Sequence, residues 1–127
     1  MKQDIEDLLE KLRDELGLAL GSNLDQVVLY GSRARGDEQA DSDLDVLVVL
    51  HESGQSVRDT IHRVAYKLMW DCEFRPLISL NIIDRDHYQL LREAGSSYLG
   101  NILREGIPLW PISETKANIG WRVRRMP

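Results

Sequence analysis

One stretch limits the fold more than any other: Asp43-Leu44-Asp45-Val46-Leu47-Val48-Val49-Leu50. Its β-branched and aliphatic residues read as a strand. From Val46 onward it has no polar alternation, so both faces must be covered, as in a central strand packed between two layers. Such a strand needs amphipathic helices to cover it. Residues 3–20 supply one, with Ile5, Leu8, Leu9, Leu12 and Leu16 at steps of three and four and charged residues between them. Val57, Ile61, Val64, Ala65 and Leu68 mark a second, ending near Trp70.

Around these, Val27-Val28-Leu29-Tyr30 reads as a strand that stops at Gly31-Ser32, and Leu77 to Ile83 as a third, entered through Pro76. Gly31 to Ser42 is polar and reads as a tight turn, one helical turn at most, and then a loop. Asp84-Arg85-Asp86 reads as a turn into a short helix over about 88–92. A further helix over about 98–105 turns Leu99, Ile102 and Leu103 inward, with Gly106 as its C′ residue. Ile107-Pro108-Leu109 fits a short edge strand. The order predicts an α+β fold, with a small central mixed sheet flanked by helices.

The 127 residues amount to one domain, and 29% charged with 43% hydrophobic is ordinary for a globular chain. A net charge of −5 argues against broad nucleic-acid binding, which needs a basic face. Positive charge gathers instead in a tail, 113–127, where Lys116, Arg122, Arg124 and Arg125 meet no acid after Glu114. No apolar run approaches the ~20 residues of a membrane span. The charged N-terminus does not read as a signal peptide, and the lone Cys72 cannot form an intramolecular disulfide. The expectation is a cytoplasmic domain over 1–112 followed by that tail.

The segment that carries chemistry runs from Gly31 to Asp45, GSRARGDEQADSDLD. Asp43 and Asp45, at i and i+2 on a strand, share a face with backbones about 7 Å apart. Two like charges there repel, and Mg2+ relieves them by taking carboxylate oxygens together with phosphates and water. The plainer alternative is a solvated strand start. Upstream, Gly31 lets the backbone turn sharply and approach a ligand closely. Ser32 then either offers its hydroxyl and N–H to a phosphate or serves as an N-cap. The segment is not a P-loop, since Asp37 stands where that motif needs Lys.

Taken together, Gly31, Ser32, Ala34, Arg35 and Gly36, then Ser42, Asp43 and Asp45, resemble the G-S-x-A-R-G, five residues, S-D-x-D pattern of minimal nucleotidyltransferases of the DNA polymerase beta-type superfamily. The R-E-G-I run of Arg104 to Ile107 is also similar to the family. The resemblance implies the polymerase beta-like nucleotidyltransferase fold, with Asp43 and Asp45 as Mg2+ ligands and catalytic residues. It implies Gly31 and Ser32 on the triphosphate of ATP. Arg35 either steadies the phosphates or braces the loop by pairing with Asp37 or Asp41, and Arg33 reaches phosphate or solvent. It further implies transfer of AMP to a macromolecular hydroxyl, with a helical HEPN-type RNase as candidate partner. The runner-up is a non-catalytic module of the same shape that neutralises its partner by binding.

One departure stands out. The superfamily's third acid belongs on a neighbouring strand, where alternation of Leu77 to Ile83 groups Ser79 with Asn81 on the polar face. Ser79 or Asn81 therefore stands in the acid's place, and neither is a base near neutral pH. His51, His62 and His87 are scattered, and the tryptophans read as packing residues.

Overall fold

The computed structural model describes residues 3–39 and 42–111. The proposed boundary after residue 112 and the basic tail lie outside the described residues. Helix α1 (Gln3–Leu20) leads through a 3-10 turn into β1 (Leu24–Tyr30), the single-turn α2 (Ser32–Arg35) and β2 (Leu44–Leu50). Helix α3 (Gln55–Asp71), β3 (Ile78–Asp84), α4 (Arg85–Glu93), α5 (Ser97–Glu105) and β4 (Ile107–Trp110) follow. The sheet order is β3-β2-β1-β4. β1 is antiparallel to both β2 and β4, and β2 is parallel to β3, joined through α3.

The expectation for the central strand holds: Val46 to Leu50 are all fully buried. Alternation sends Leu44, Val46, Val48 and Leu50 with Val27 and Leu29 into one core, closed by Leu9, Leu12 and Leu16 of α1 and Ile61, Ala65 and Leu68 of α3. Leu47 and Val49 join Val28 and Ile83 on the other face, beneath Leu99 and Ile102 of α5. Burying a large aliphatic side chain is worth about 1.5–3 kcal/mol, so this two-sided strand anchors the whole domain.

Several expectations shift at the ends of elements. β1 begins at Leu24, three residues earlier than its apolar run, because Leu24 pairs with Leu50 across a bulge. β2 begins at Leu44, leaving Asp43 just ahead of it. α4 begins at Arg85 because the Asp84 carboxylate caps it by accepting from the His87 N–H at 2.8 Å. Leu103 is 48% exposed, since the residues that α5 buries are Leu99 and Ile102. Gly106 is not a left-handed C′ residue: its φ is −71°, and glycine is needed for room, as a Cβ would stand 2.6 Å from Val28 Cγ1.

Candidate active site

β1 ends at Gly31, whose φ of 79° with ψ of −160° suits glycine and strains other residues. The carbonyl of Gly31 accepts from the N–H groups of Ala34 and Arg35, both at 3.1 Å, closing the turn of α2. Gly36, left-handed at φ 83°, ends it with its N–H on Ser32 O at 2.9 Å. Gly31 thus takes the N-cap position and Ser32 is the first helical residue. A second demand falls on Gly31. A Cβ there would lie 3.2 Å from Asp45 Cγ and closer still to its Oδ2.

That contact joins the two halves of the motif. β1 and β2 are antiparallel with Tyr30 opposite Asp45, so the end of one strand meets the start of the other. The connecting loop is clipped from inside: Arg33, only 6% exposed, donates from Nε to Ser42 O at 2.9 Å. Ser42 Oγ accepts the Gln39 N–H at 2.8 Å. The structure gives Arg33 a bracing contact within the loop. Arg35 points outward, pairing through Nε with Asp37 at 3.2 Å and through Nη1 with Glu105 at 3.6 Å. Of the two pairings anticipated for it, Asp37 is seen and Asp41 lies outside the described residues.

Asp43 is exposed and Asp45 half-buried. Burial first, and the charge of Asp43 second, push the Asp45 carboxyl above the usual carboxylate range, with Arg35 opposing. Such a pair favours a cation. Among the described residues no cluster of three or more His, Cys, Asp or Glu side chains gathers to hold a metal. The donor set still fits Mg2+, which keeps several waters and binds through one or two carboxylates plus substrate phosphates. Asp43 and Asp45 would hold it.

β3 lies beside β2 with Ser79 opposite Asp45 and Asn81 opposite Leu47. Ser79 is exposed and level with the acids, while Asn81 sits one pair deeper. Asn81 donates from Nδ2 to the Tyr98 hydroxyl, which meets the Tyr30 hydroxyl at 3.2 Å. The two rings are edge to face, 6.1 Å apart. Burial, then the Tyr98 hydroxyl, pushes the Tyr30 phenol far above its ordinary value, so it stays protonated and is no base. A cleft of about 250 Å3 opens here, lined by Tyr30, Gly31, Arg35, Tyr98, Asn101 and Glu105 among others. Tyr98 and Asn101 were not singled out from the sequence, and Glu105 only as part of the R-E-G-I run. Their i, i+3, i+7 spacing on α5 was the available signal. A second hollow of about 460 Å3, between α3 and β3, lies on the opposite face of the sheet and meets neither acid.

A glycine turn set against Asp45, with exposed Asp43 two residues before it, thus lies at one end of a mixed sheet. The sequence model of the nucleotidyltransferase domain matches residues 5–93, and the chain belongs to that family of enzymes. A Methanocaldococcus jannaschii protein, provisionally named a protein adenylyltransferase, is 32% identical over 78 residues, covering 59% of this chain and 79% of that one. A Sulfolobus solfataricus protein, provisionally named a nucleotidyltransferase, shares the fold with a TM-score of 0.53 at 22% identity, over 87% of this chain and 88% of that one. So does a toxin–antitoxin structure containing AMP-PNP, with a TM-score of 0.51 at 20% identity, over 91% of this chain and 82% of that one.

Proposed function

We propose that this chain is a cytoplasmic enzyme that transfers AMP from ATP, with Mg2+, to a hydroxyl on a macromolecular acceptor. The observation that carries this reading is the contact between Gly31 and Asp45, which sets a phosphate turn against an acidic pair. Gly31 and Ser32 orient the triphosphate, and Asp43 and Asp45 hold the metal. Bound Mg2+ would neutralise charge between carboxylates and phosphates. The rest of catalysis is positioning, with the α-phosphate held in line with the incoming hydroxyl. A cleft of about 250 Å3 is small for a ligand pocket. It leaves no room for an acceptor, which in this reading approaches past exposed Asp43 and Ser79. A protein partner such as a HEPN-type RNase is the acceptor this reading puts first. The relative named for protein adenylylation and the fold shared with a toxin–antitoxin structure containing AMP-PNP support it.

A second reading keeps the partner and drops the chemistry, leaving an antitoxin that neutralises by binding. The side chains of Ser79 and Asn81, one a hydroxyl and the other hydrogen-bonded to Tyr98, favour it. Calorimetric titration of ATP into the protein, with Mg2+ and then with EDTA, tests the site. Metal-dependent binding is expected, and no heat under either condition would remove the nucleotide assignment. Incubation with the partner and labelled ATP then separates the readings, since label transferred to the partner belongs to the enzyme alone.

A further inference from the structure

We propose that Glu105 is a positioning residue: with Asp37 it holds the Arg35 guanidinium across the cleft, so that phosphates on the Gly31–Ser32 turn meet a cation already in place. The inference rests on the nucleotide-binding reading above and adds to it a residue from the far end of the chain. Glu105 and Arg35 both line the cleft that contains Gly31. Glu105 Oε2 stands 3.6 Å from Arg35 Nη1, while Asp37 Oδ2 takes Nε at 3.2 Å. The guanidinium is therefore held from two sides, with a fork of five donors that two carboxylates do not exhaust.

The placement of Glu105 is built into the fold. It is the last residue of α5, and the next position must be glycine for lack of space. A Cβ on Gly106 would collide with the Ile102 carbonyl, and would stand 2.6 Å from Val28 Cγ1 and 3.3 Å from Leu29 O. The end of α5 is thus pressed onto β1 within three residues of the Gly31 turn, which brings Glu105 to the same mouth as Arg35. An exposed arginine samples many rotamers, and binding phosphate with it means losing that freedom. Carboxylates that fix it beforehand remove that loss from the binding step. Their negative charge opposes the phosphates, but both partners are solvent-exposed, where repulsion is screened. Geometry therefore wins, and removing Glu105 weakens binding.

The test is a double-mutant cycle on the full chain, read by calorimetry with Mg·ATP and with magnesium tripolyphosphate, alongside thermal melting. Arg35→Ala and Glu105→Gln should each weaken both ligands about three- to tenfold, and the double variant should bind no worse than Arg35→Ala alone. The loss of tripolyphosphate affinity shows that the effect passes through the phosphates. The melting temperature of Glu105→Gln should stay within about 2 °C of the parent, as expected for an exposed pair. Unchanged or tighter binding in Glu105→Gln, with Arg35→Ala weakened, would overturn the proposal and leave the nucleotide site standing. Additive losses would overturn it too, because Glu105 would then act by another route. A parent protein that binds neither ligand would instead sink the nucleotide reading itself.

Discussion

Asp45 is where the site's charges conflict. Its carboxyl is raised by burial and by Asp43, so the folded state holds its proton more tightly than the unfolded chain does. For a group raised on folding, the stability contribution is present below the unfolded value and lost as pH rises through the folded one. At neutral pH without metal the pair is thus a burden. Replacing both acids, Asp43→Asn with Asp45→Asn, should raise the urea midpoint slightly at pH 7 in EDTA, with the gain fading as pH falls towards the carboxylate range. The same variant should lose Mg2+-dependent ATP binding in calorimetry; unchanged affinity would remove the metal assignment. Asn81→Asp tests the missing acid. An aspartate can accept from the Tyr98 hydroxyl where asparagine donates to it, so the fold should survive. Any transfer rate should rise, by up to the ~10²–10⁴-fold that a positioned base contributes. A flat or lower rate would point to Ser79 or to a site needing no third acid. The residues from Gly31 to Asp45 were legible because they are close in sequence and chemically unusual. The placement of Glu105 and Tyr98 at the site was not, because the face a polar helical residue presents depends on how its helix docks.

Elements meet here through glycines. Gly17 sits inside α1, where alanine would favour the helix by about 1 kcal/mol, yet a Cβ there would stand 2.7 Å from Trp110 Cζ3. Trp110 is fixed in turn by its Nε1 donating to Leu24 O at 3.2 Å. Gly17→Ala should therefore destabilise by about 1–3 kcal/mol in urea unfolding despite the better helix former, since overpacking outweighs propensity. A stabilised variant would mean that the ring swings clear. The apolar periodicities made α1, α3 and β2 readable. The polar start of β1 hid that strand's true length, because Asp25 and Gln26 do not read as strand residues. Asp25 is placed by long-range pairs, to Arg85 at 3.0 Å and His51 at 3.5 Å, which no local pattern announces.

Across the whole molecule, the sheet order put β4 next to β1, an arrangement the sequence suggested only as a short edge. On the opposite edge the backbone of β3 is guarded by side chains: Arg58 donates to Ile82 O at 3.2 Å, and the Ile78 N–H meets Met69 Sδ at 3.2 Å. Such guards limit strand addition. Stability of the whole should couple to the ligand by mass action. Mg·ATP at a hundred times its Kd should add ~2.7 kcal/mol, a melting shift of roughly 8–12 °C for a domain of this size. The double Asp variant should show none of it.

The clip from Arg33 to Ser42 has a consequence for how such sites drift over time. Because the two ends of the connecting segment are fastened by side chains and caps, the distance between glycine turn and acid pair is set by those fastenings and not by the number of residues between them. Doubling such a loop costs only ~0.6 kcal/mol. Two glycines inserted between Asp37 and Glu38 should leave ATP affinity nearly intact, and a lineage could gain or lose residues there while its chemistry stood still.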